Sequence, residues 1–435
     1  MRITPVDLGI LGCILLFVLL AASMPVAFAM AVVGFVGFAV VVTPKAAMSM
    51  ITLDLYDTFT SYSLTVIPLF VLMGQVAFHA GISRRLFNAA YHWLGPMPGG
   101  LAMSTVGACT AFGAICGSGP ATAATMASVA LPEMKRYKYD MELGCGAVAA
   151  GGSLGMLIPP SVVFIVYAIM TEQSVGKLFI AGIAPGLLIA FLFCLTIYLS
   201  CKRRPHLGPA SQRFGWGAKF ASLAGVIETL ILFAVVIGGM FNGFFTPTEA
   251  AAVGAAGTLV IALVKGQLKV KMLVRSLQET VRTSCMVMII VTGAVIFGHF
   301  LTVTQIPVKL ATFLAGLPLP GWSIMGLVIL FFLVAGCFVD ALGLILLTIP
   351  IFYPVVTQLG YDPIWFGVII VVVTQMGVIS PPVGVCVYVV SGIERDVPLQ
   401  TIFRGALPFL AALVIAAIIL IAFPQICLFL PNLVQ

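Results

Sequence analysis

Residues Gly151–Ser161 read GGSLGMLIPPS, and residues Thr374–Gly384 read TQMGVISPPVG. Each stretch sits in the middle of a long apolar segment, 141–170 and 363–392. Three glycines and two consecutive prolines in the first, and the same double proline in the second, cannot continue as regular helix, because proline removes a backbone donor and drives the preceding residue out of the helical region. Each segment is therefore expected to cross a bilayer as two half-helices with irregular backbone between them. Such backbone is tolerated at membrane depth only where it is buried in protein or lines a cavity. A plain kink needs one proline, so two of them, recurring, favour a binding break. Ser153, Ser161, Thr374, Gln375 and Ser380 are the polar side chains these breaks offer.

The composition agrees with a membrane setting. Of 435 residues, 61% are hydrophobic and 8% charged, with mean hydropathy +1.19. A soluble domain carries about 25% charged residues to face water. This excludes a soluble enzyme, a disordered chain, a coiled coil and a disulfide scaffold. The expected fold class is an all-α polytopic membrane protein. The net charge of +7 comes from basic clusters between apolar runs, which the positive-inside rule explains without a nucleic-acid partner. Ten cysteines show no CxxC pair and four histidines no metal spacing, so no metal site or cofactor is expected. The N-terminal run continues past Pro25 into a second apolar segment, which is unlike a cleaved signal peptide.

Twelve apolar segments can be marked: 7–22, 25–43, 64–82, 99–131, 141–170, 178–200, 221–243, 247–264, 283–303, 323–353, 363–392 and 399–430. Segments 99–131 and 323–353 are too long for one simple span and hold small or polar residues at their centres. They are expected to be re-entrant helical hairpins. The chain also repeats at an offset of 222 residues, which pairs Pro25 with Pro247, Pro96 with Pro318, Pro98 with Pro320 and Gly99 with Gly321. The same offset pairs Pro132 with Pro354, Tyr139 with Tyr361, Asp140 with Asp362, Gly155 with Gly377, Pro159 with Pro381 and Pro160 with Pro382. The expected domains are a first repeat over 1–205, a linker over 206–220 and a second repeat over 221–435. Five crossings per half is an odd number, so the second repeat should be inverted. On that topology 17 of the 21 Lys and Arg fall on one face, which becomes the cytoplasmic one. The other face receives Arg2, Lys45, Lys177 and Lys309, and both termini lie outside. Inverted repeats with interrupted helices are the architecture of secondary transporters, with the site between the repeats.

Candidate site residues follow from this layout. CGSGPATAA, Cys116–Ala124, marks the first hairpin tip, with Ser118 between glycines and Pro120 able to start the return helix. Free carbonyls and the Ser118 hydroxyl suit a small hard cation, and free N–H groups suit an anion. Asp340 lies four residues beyond Gly336 in the second hairpin, opposite Ser118 at the 222 offset. A carboxylate at membrane depth is costly, which makes it a functional candidate that can also cap a helix. Glu249 belongs to a capping box with Thr246, and Glu228 has an open choice of partners. No Lys or Arg is placed at the midplane, so a carboxylate ligand would rest on half-helix N-termini, hydroxyls and co-bound cations.

GSGPATAA followed by PEMKRYKYD, then GGSLGMLIPPS, LTIPIFYPV and GVISPPVG, resembles the large membrane subunit of tripartite ATP-independent periplasmic (TRAP) transporters, the DctM type. The resemblance covers nearly the whole chain. It implies an elevator-type sodium symporter for small organic acids such as C4-dicarboxylates, keto acids or sialic-acid-like carboxylates, in the bacterial inner membrane. It further implies a small four-helix membrane subunit and a periplasmic substrate-binding protein as partners. Carried onto this chain, one sodium site involves Gly117, Ser118, Gly152, Ser153 and Gly155. The other involves Gly336, Asp340 and the break at Thr374, Gln375 and Gly377. Thr122, Thr125, Pro160, Ser161, Ser380 and Pro382 are the expected substrate contacts. A stand-alone divalent-anion symporter without a binding protein shares the same logic and is the alternative.

Overall fold

The computed structural model describes residues 4–22, 24–210, 214–315 and 320–433; Arg2 and Pro318 lie outside the described residues. Twenty α-helices and no strand occur among the described residues. In chain order they are α1 (Pro5–Ala21), α2 (Val26–Val41), α3 (Pro44–Thr60), α4 (Val66–His79) and α5 (Ile82–Leu94). Then come α6 (Gly100–Cys116), α7 (Gly119–Arg136), α8 (Met141–Ser153), α9 (Val162–Thr171) and α10 (Val175–Arg203). The second half holds α11 (Trp216–Phe241), α12 (Pro247–Val264), α13 (Val270–Thr304), α14 (Ile306–Ala315) and α15 (Gly321–Gly336). It closes with α16 (Ala341–Gln358), α17 (Pro363–Ile379), α18 (Val385–Ile393), α19 (Leu399–Ala422) and α20 (Gln425–Asn432). Seven helices among the described residues are long and apolar enough to cross a membrane unaided.

Local sequence sets the helix starts. Thr4 and Asp7 form a capping box at α1, and Thr246 and Glu249 form another at α12, each with proline in the first turn. Asp140 and Asp362, paired by the 222 offset, cap α8 and α17 in the same way, each carboxylate accepting two backbone N–H groups. At that offset α7 falls on α16 end for end, and α6, α8, α9 and α10 fall on α15, α17, α18 and α19 within a few residues. The 35-residue α13 covers the counterparts of both α3 and α4 in one helix.

Three features depart from the apolar-segment reading. Helices α3, α5 and α14 lie outside the twelve segments. In α5, ISRRLFNAAYHWL, burial falls on Ile82, Ser83, Leu86, Phe87 and Ala89 while Arg84 and Asn88 face outward, so its mean hydropathy is too low to register. Segment 399–430 is two helices, divided at Phe423 and Pro424, where proline cannot extend α19. Helix α11 begins at Trp216, inside the stretch read as linker.

The centre of the molecule is built from the hairpins and interrupted helices. Helix α8 packs on α6, α7 and α19, and α17 packs on α15, α16, α10 and α19. At the α8–α19 crossing Gly146 and Gly405 bring the backbones into contact, since a Cβ on Gly405 would lie 1.9 Å from the Glu142 carbonyl oxygen. Helices α2 and α4 line α13, and α12 covers α4. Charged side chains tie the periphery. Glu228 on α11 accepts from Arg85 on α5 at 3.2 Å and also pairs with Lys265 beyond α12, which answers the open choice for that residue. Lys135, at the end of α7, donates to Glu394 at 2.6 Å and to Asp396 at 3.0 Å.

Candidate functional site

Each long segment with a small or polar centre is a helical hairpin. Helix α6 ends at Cys116, Gly117 turns the chain with φ +65°, and Ser118 returns it in extended conformation to start α7 at Gly119-Pro120. A Cβ on Gly117 would lie 2.5 Å from the Pro160 carbonyl oxygen, so both the dihedral and the close approach require glycine there. The Ser118 side chain makes no capping bond to its own helix. In the second hairpin α15 ends at Gly336 and α16 starts after Asp340, whose Oδ2 accepts from the Gly343 N–H at 3.1 Å. Asp340 is thus a helix cap, with Oδ1 outside that bond.

The interruptions lie against the tips. Between α8 and α9 the chain runs through a 3-10 turn, Leu154–Met156, and then Pro159-Pro160; α17 and α18 are separated by 380–384. Both double prolines are joined by a cis peptide bond. Prolines 159 and 160 remove the N–H groups that would bond the Gly155 and Met156 carbonyls; Ser161 Oγ donates to Met156, and Gly155 keeps no helical donor. Prolines 381 and 382 do the same for Gly377 and Val378, and the Ser380 N–H takes up Gly377 at 3.1 Å. Each tip bonds its own interruption through backbone: Val162 N–H to the Gly117 carbonyl and Val383 N–H to the Cys337 carbonyl, both at 3.3 Å.

The second break sits later than its sequence reading. Helix α17 runs unbroken to Ile379, so Thr374, Gln375 and Gly377 are helical, in its last turns. The restriction from Pro381 acts on Ser380 alone and leaves upstream residues free to stay helical. Gly152 and Ser153 are likewise the final residues of α8. These residues bring close packing. A Cβ on Gly155 would lie 2.6 Å from Thr122 Oγ1 and 2.9 Å from the Ser118 carbonyl oxygen, and one on Gly377 would lie 2.3 Å from the Gly336 backbone. A Cβ on Gly152 would lie 2.5 Å from Ala123.

The hydroxyls of Ser153, Thr374 and Ser380 donate to carbonyls of their own helix, which leaves their oxygen lone pairs as acceptors. Gln375 Nε2 donates 2.9 Å to the Ser153 carbonyl, a bond between residues 222 apart. Its Oε1 is buried without a hydrogen-bond partner, and Thr122 Oγ1 is buried beside the Cys116 thiol.

A cavity of about 520 Å³ lies between the two tips. Its wall includes Gly117, Ser118 and Pro120 from the first hairpin, Asp340 and Leu342 from the second, Gln75 of α4, and Thr283 and Val287 of α13. Of the expected site residues, Gly117, Ser118 and Asp340 are on this wall. Gly152, Ser153, Gly155, Gly336, Thr374, Gln375 and Gly377 stand behind it as buried backing. None of the expected substrate contacts lines it: Thr122, Thr125, Pro160, Ser161 and Ser380 are buried elsewhere, and Pro382 is exposed. Gln75 and Thr283 were missed; a polar residue inside segment 64–82, and one at the edge of 283–303, were the available signals.

A wider cavity of about 1160 Å³ lies between the α1–α2 turn, α13 and α15, and reaches the same Asp340. Arg282 is on its wall. The sequence reading set no basic residue near the site and assigned Arg282 only to a face.

Two helical hairpins whose tips meet at one cavity, backed by two interrupted helices, define a membrane transport protein. Residues 13–426 match the family described as tripartite ATP-independent periplasmic transporter, DctM component. The chain is 38% identical over 391 residues to the C4-dicarboxylate TRAP transporter large permease protein DctM of Pseudomonas aeruginosa, covering 90% of this chain and 91% of that one. It is 34% identical to the sialic acid TRAP transporter large permease protein SiaM of Vibrio cholerae, over 95% of this chain and 96% of that one. Among solved structures, the Alcanivorax borkumensis YdaH transporter shares the fold at a TM-score of 0.63 and 16% identity, covering 88% and 90% of the two chains. The chain belongs to the DctM family, the large permease component of TRAP transporters.

Proposed function

We propose that this chain carries a small organic acid across the bacterial inner membrane together with sodium, after delivery by a periplasmic binding protein and in company with a small membrane subunit. The observation that carries this reading is the meeting of Ser118 and Asp340 on one cavity, each tip hydrogen-bonded to its own interruption. Ser118 with the carbonyls at Gly117 and Gly155 makes one cation site, backed by Gly152 and Ser153. Asp340 Oδ1 makes the other, backed by Gly336, Thr374, Gln375 and Gly377. Sodium takes several oxygen ligands, and interrupted backbone supplies them without adding buried charge.

The inverted-repeat arrangement is supported by the matching element bounds and by the Gln375–Ser153 bond, because residues that touch their own counterparts lie on a pseudo-two-fold axis. On this reading the hairpins and interrupted helices move as one body against α2, α4 and α13, in the manner of an elevator. The names of the relatives, C4-dicarboxylate and sialic acid permeases, support a carboxylate as cargo.

The test is reconstitution in vesicles with an inward sodium gradient, adding the binding protein and the small subunit singly and together. Succinate or sialic acid should accumulate only when all components are present. Robust uptake by this chain alone would place it with stand-alone symporters.

A further inference from the structure

The wider cavity poses a question that the transport reading leaves open, namely how a carboxylate is held where the inter-tip wall carries no positive charge. The two cavities are continuous in their lining, since Met286, Ile290 and Asp340 belong to both walls. Arg282, Met286 and Ile290 recur every four residues along α13 and so share one face of that helix. Arg282 stands one turn, roughly 6 Å along the axis, from the residue where the cavities join. Arg282 forms no ion pair or hydrogen bond among the described residues; it is exposed and lines this cavity. Apart from Arg282 and Asp340, the wall is apolar: Phe17, Phe28, Ile289 and Phe338 are typical of it.

The planar fork of an unpaired arginine matches a carboxylate in bidentate geometry. Apolar walls of low dielectric strengthen that attraction. Resting on the transport reading above, we infer that this cavity is an anion-accepting vestibule in which Arg282 holds the cargo's carboxylate on its way to or from the gap between the tips. Its occupant is the transported organic anion, because the cavity ends at Asp340, where the proposed cation sits. A lipid would be expected along the open, wholly apolar faces instead.

Cys285 supplies a probe, being exposed on the same wall three residues from Arg282. The measurement is the rate of Cys285 modification in open membrane fragments by an anionic thiosulfonate, methanethiosulfonate ethylsulfonate, and by its cationic ethylammonium counterpart. The C285A variant gives the background from the other nine of the ten cysteines. Arg282 should favour the anionic reagent, and R282Q should lower the anionic-to-cationic ratio about five- to tenfold while R282K retains most of it. In the unmodified chain, succinate and sialic acid should slow the reaction more than chloride at equal ionic strength, and this protection should vanish in R282Q. Protection no better than chloride, or an unchanged ratio in R282Q, overturns the vestibule. So does a rate that follows the anionic-lipid content of the membrane and ignores organic acids. None of these readouts needs sodium or the partner proteins, so failure of the symport reading would be seen separately, as absent uptake by the complete assembly.

Discussion

Asp340 caps α16 through its carboxylate and lines both cavities. Asparagine caps a helix as well as aspartate does. Asp340→Asn should therefore preserve folding and raise the half-saturating sodium concentration about tenfold or more, the equivalent of losing roughly 1.4 kcal/mol of binding. Sodium titration of uptake reads this, and an unaltered midpoint would remove Asp340 from the cation site. Gly155 argues by sterics. An added methyl would collide with Thr122 and with the Ser118 carbonyl, so Gly155→Ala should cost about 1–3 kcal/mol and abolish uptake. Gly298 on α13 has nothing within 4 Å of an added Cβ, and Gly298→Ala should be neutral or stabilising by up to about 1 kcal/mol. Equal behaviour of the two variants in thermal unfolding would contradict the packing account. Ser118 and Asp340 were legible because each breaks an apolar run between small residues. Arg282 was not, because a basic residue near the end of a span reads first as a topology signal, and only the fold shows what its side chain faces.

At the scale of elements, the hairpins and interruptions could be read directly from sequence. Proline's missing donor and glycine's freedom act locally and need no tertiary partner to break a helix. The exact end of α17 depended on packing, since Gly377 stays helical against Gly336; α5 escaped notice because an amphipathic helix lacks a hydropathy peak, and α3 because polar residues are spread through it. The peripheral ties were also invisible, because partners far apart in sequence make them. Glu228 holds α11 to α5 and to the end of α12, with its side chain mostly shielded. Glu228→Gln leaves Arg85 and Lys265 facing an uncharged amide and should cost on the order of 1 kcal/mol. A fall of a few degrees in Tm, monitored through tryptophan fluorescence (Trp216 opens α11), is the expected result. An unshifted Tm would show that this network does not anchor the helix.

For the whole molecule, the charge count, the matching element bounds and the Gln375–Ser153 contact together support two inverted halves around one site. That arrangement requires both termini on the outer side, so a reporter active only in the cytoplasm, fused after Gln435, should be silent; a strong signal would overturn the inverted count. The central claim is that the two hairpin tips bind sodium as the cargo is moved. The most direct measurement is uptake against sodium concentration in vesicles holding the complete assembly, for the unmodified chain, Ser118→Ala and Asp340→Asn. The account predicts a steep sodium dependence for the unmodified chain, a shallower one with a higher midpoint for Asp340→Asn, and a smaller shift for Ser118→Ala, where backbone carbonyls remain. Uptake driven by protons alone, or sodium curves that superimpose for all three proteins, would contradict it.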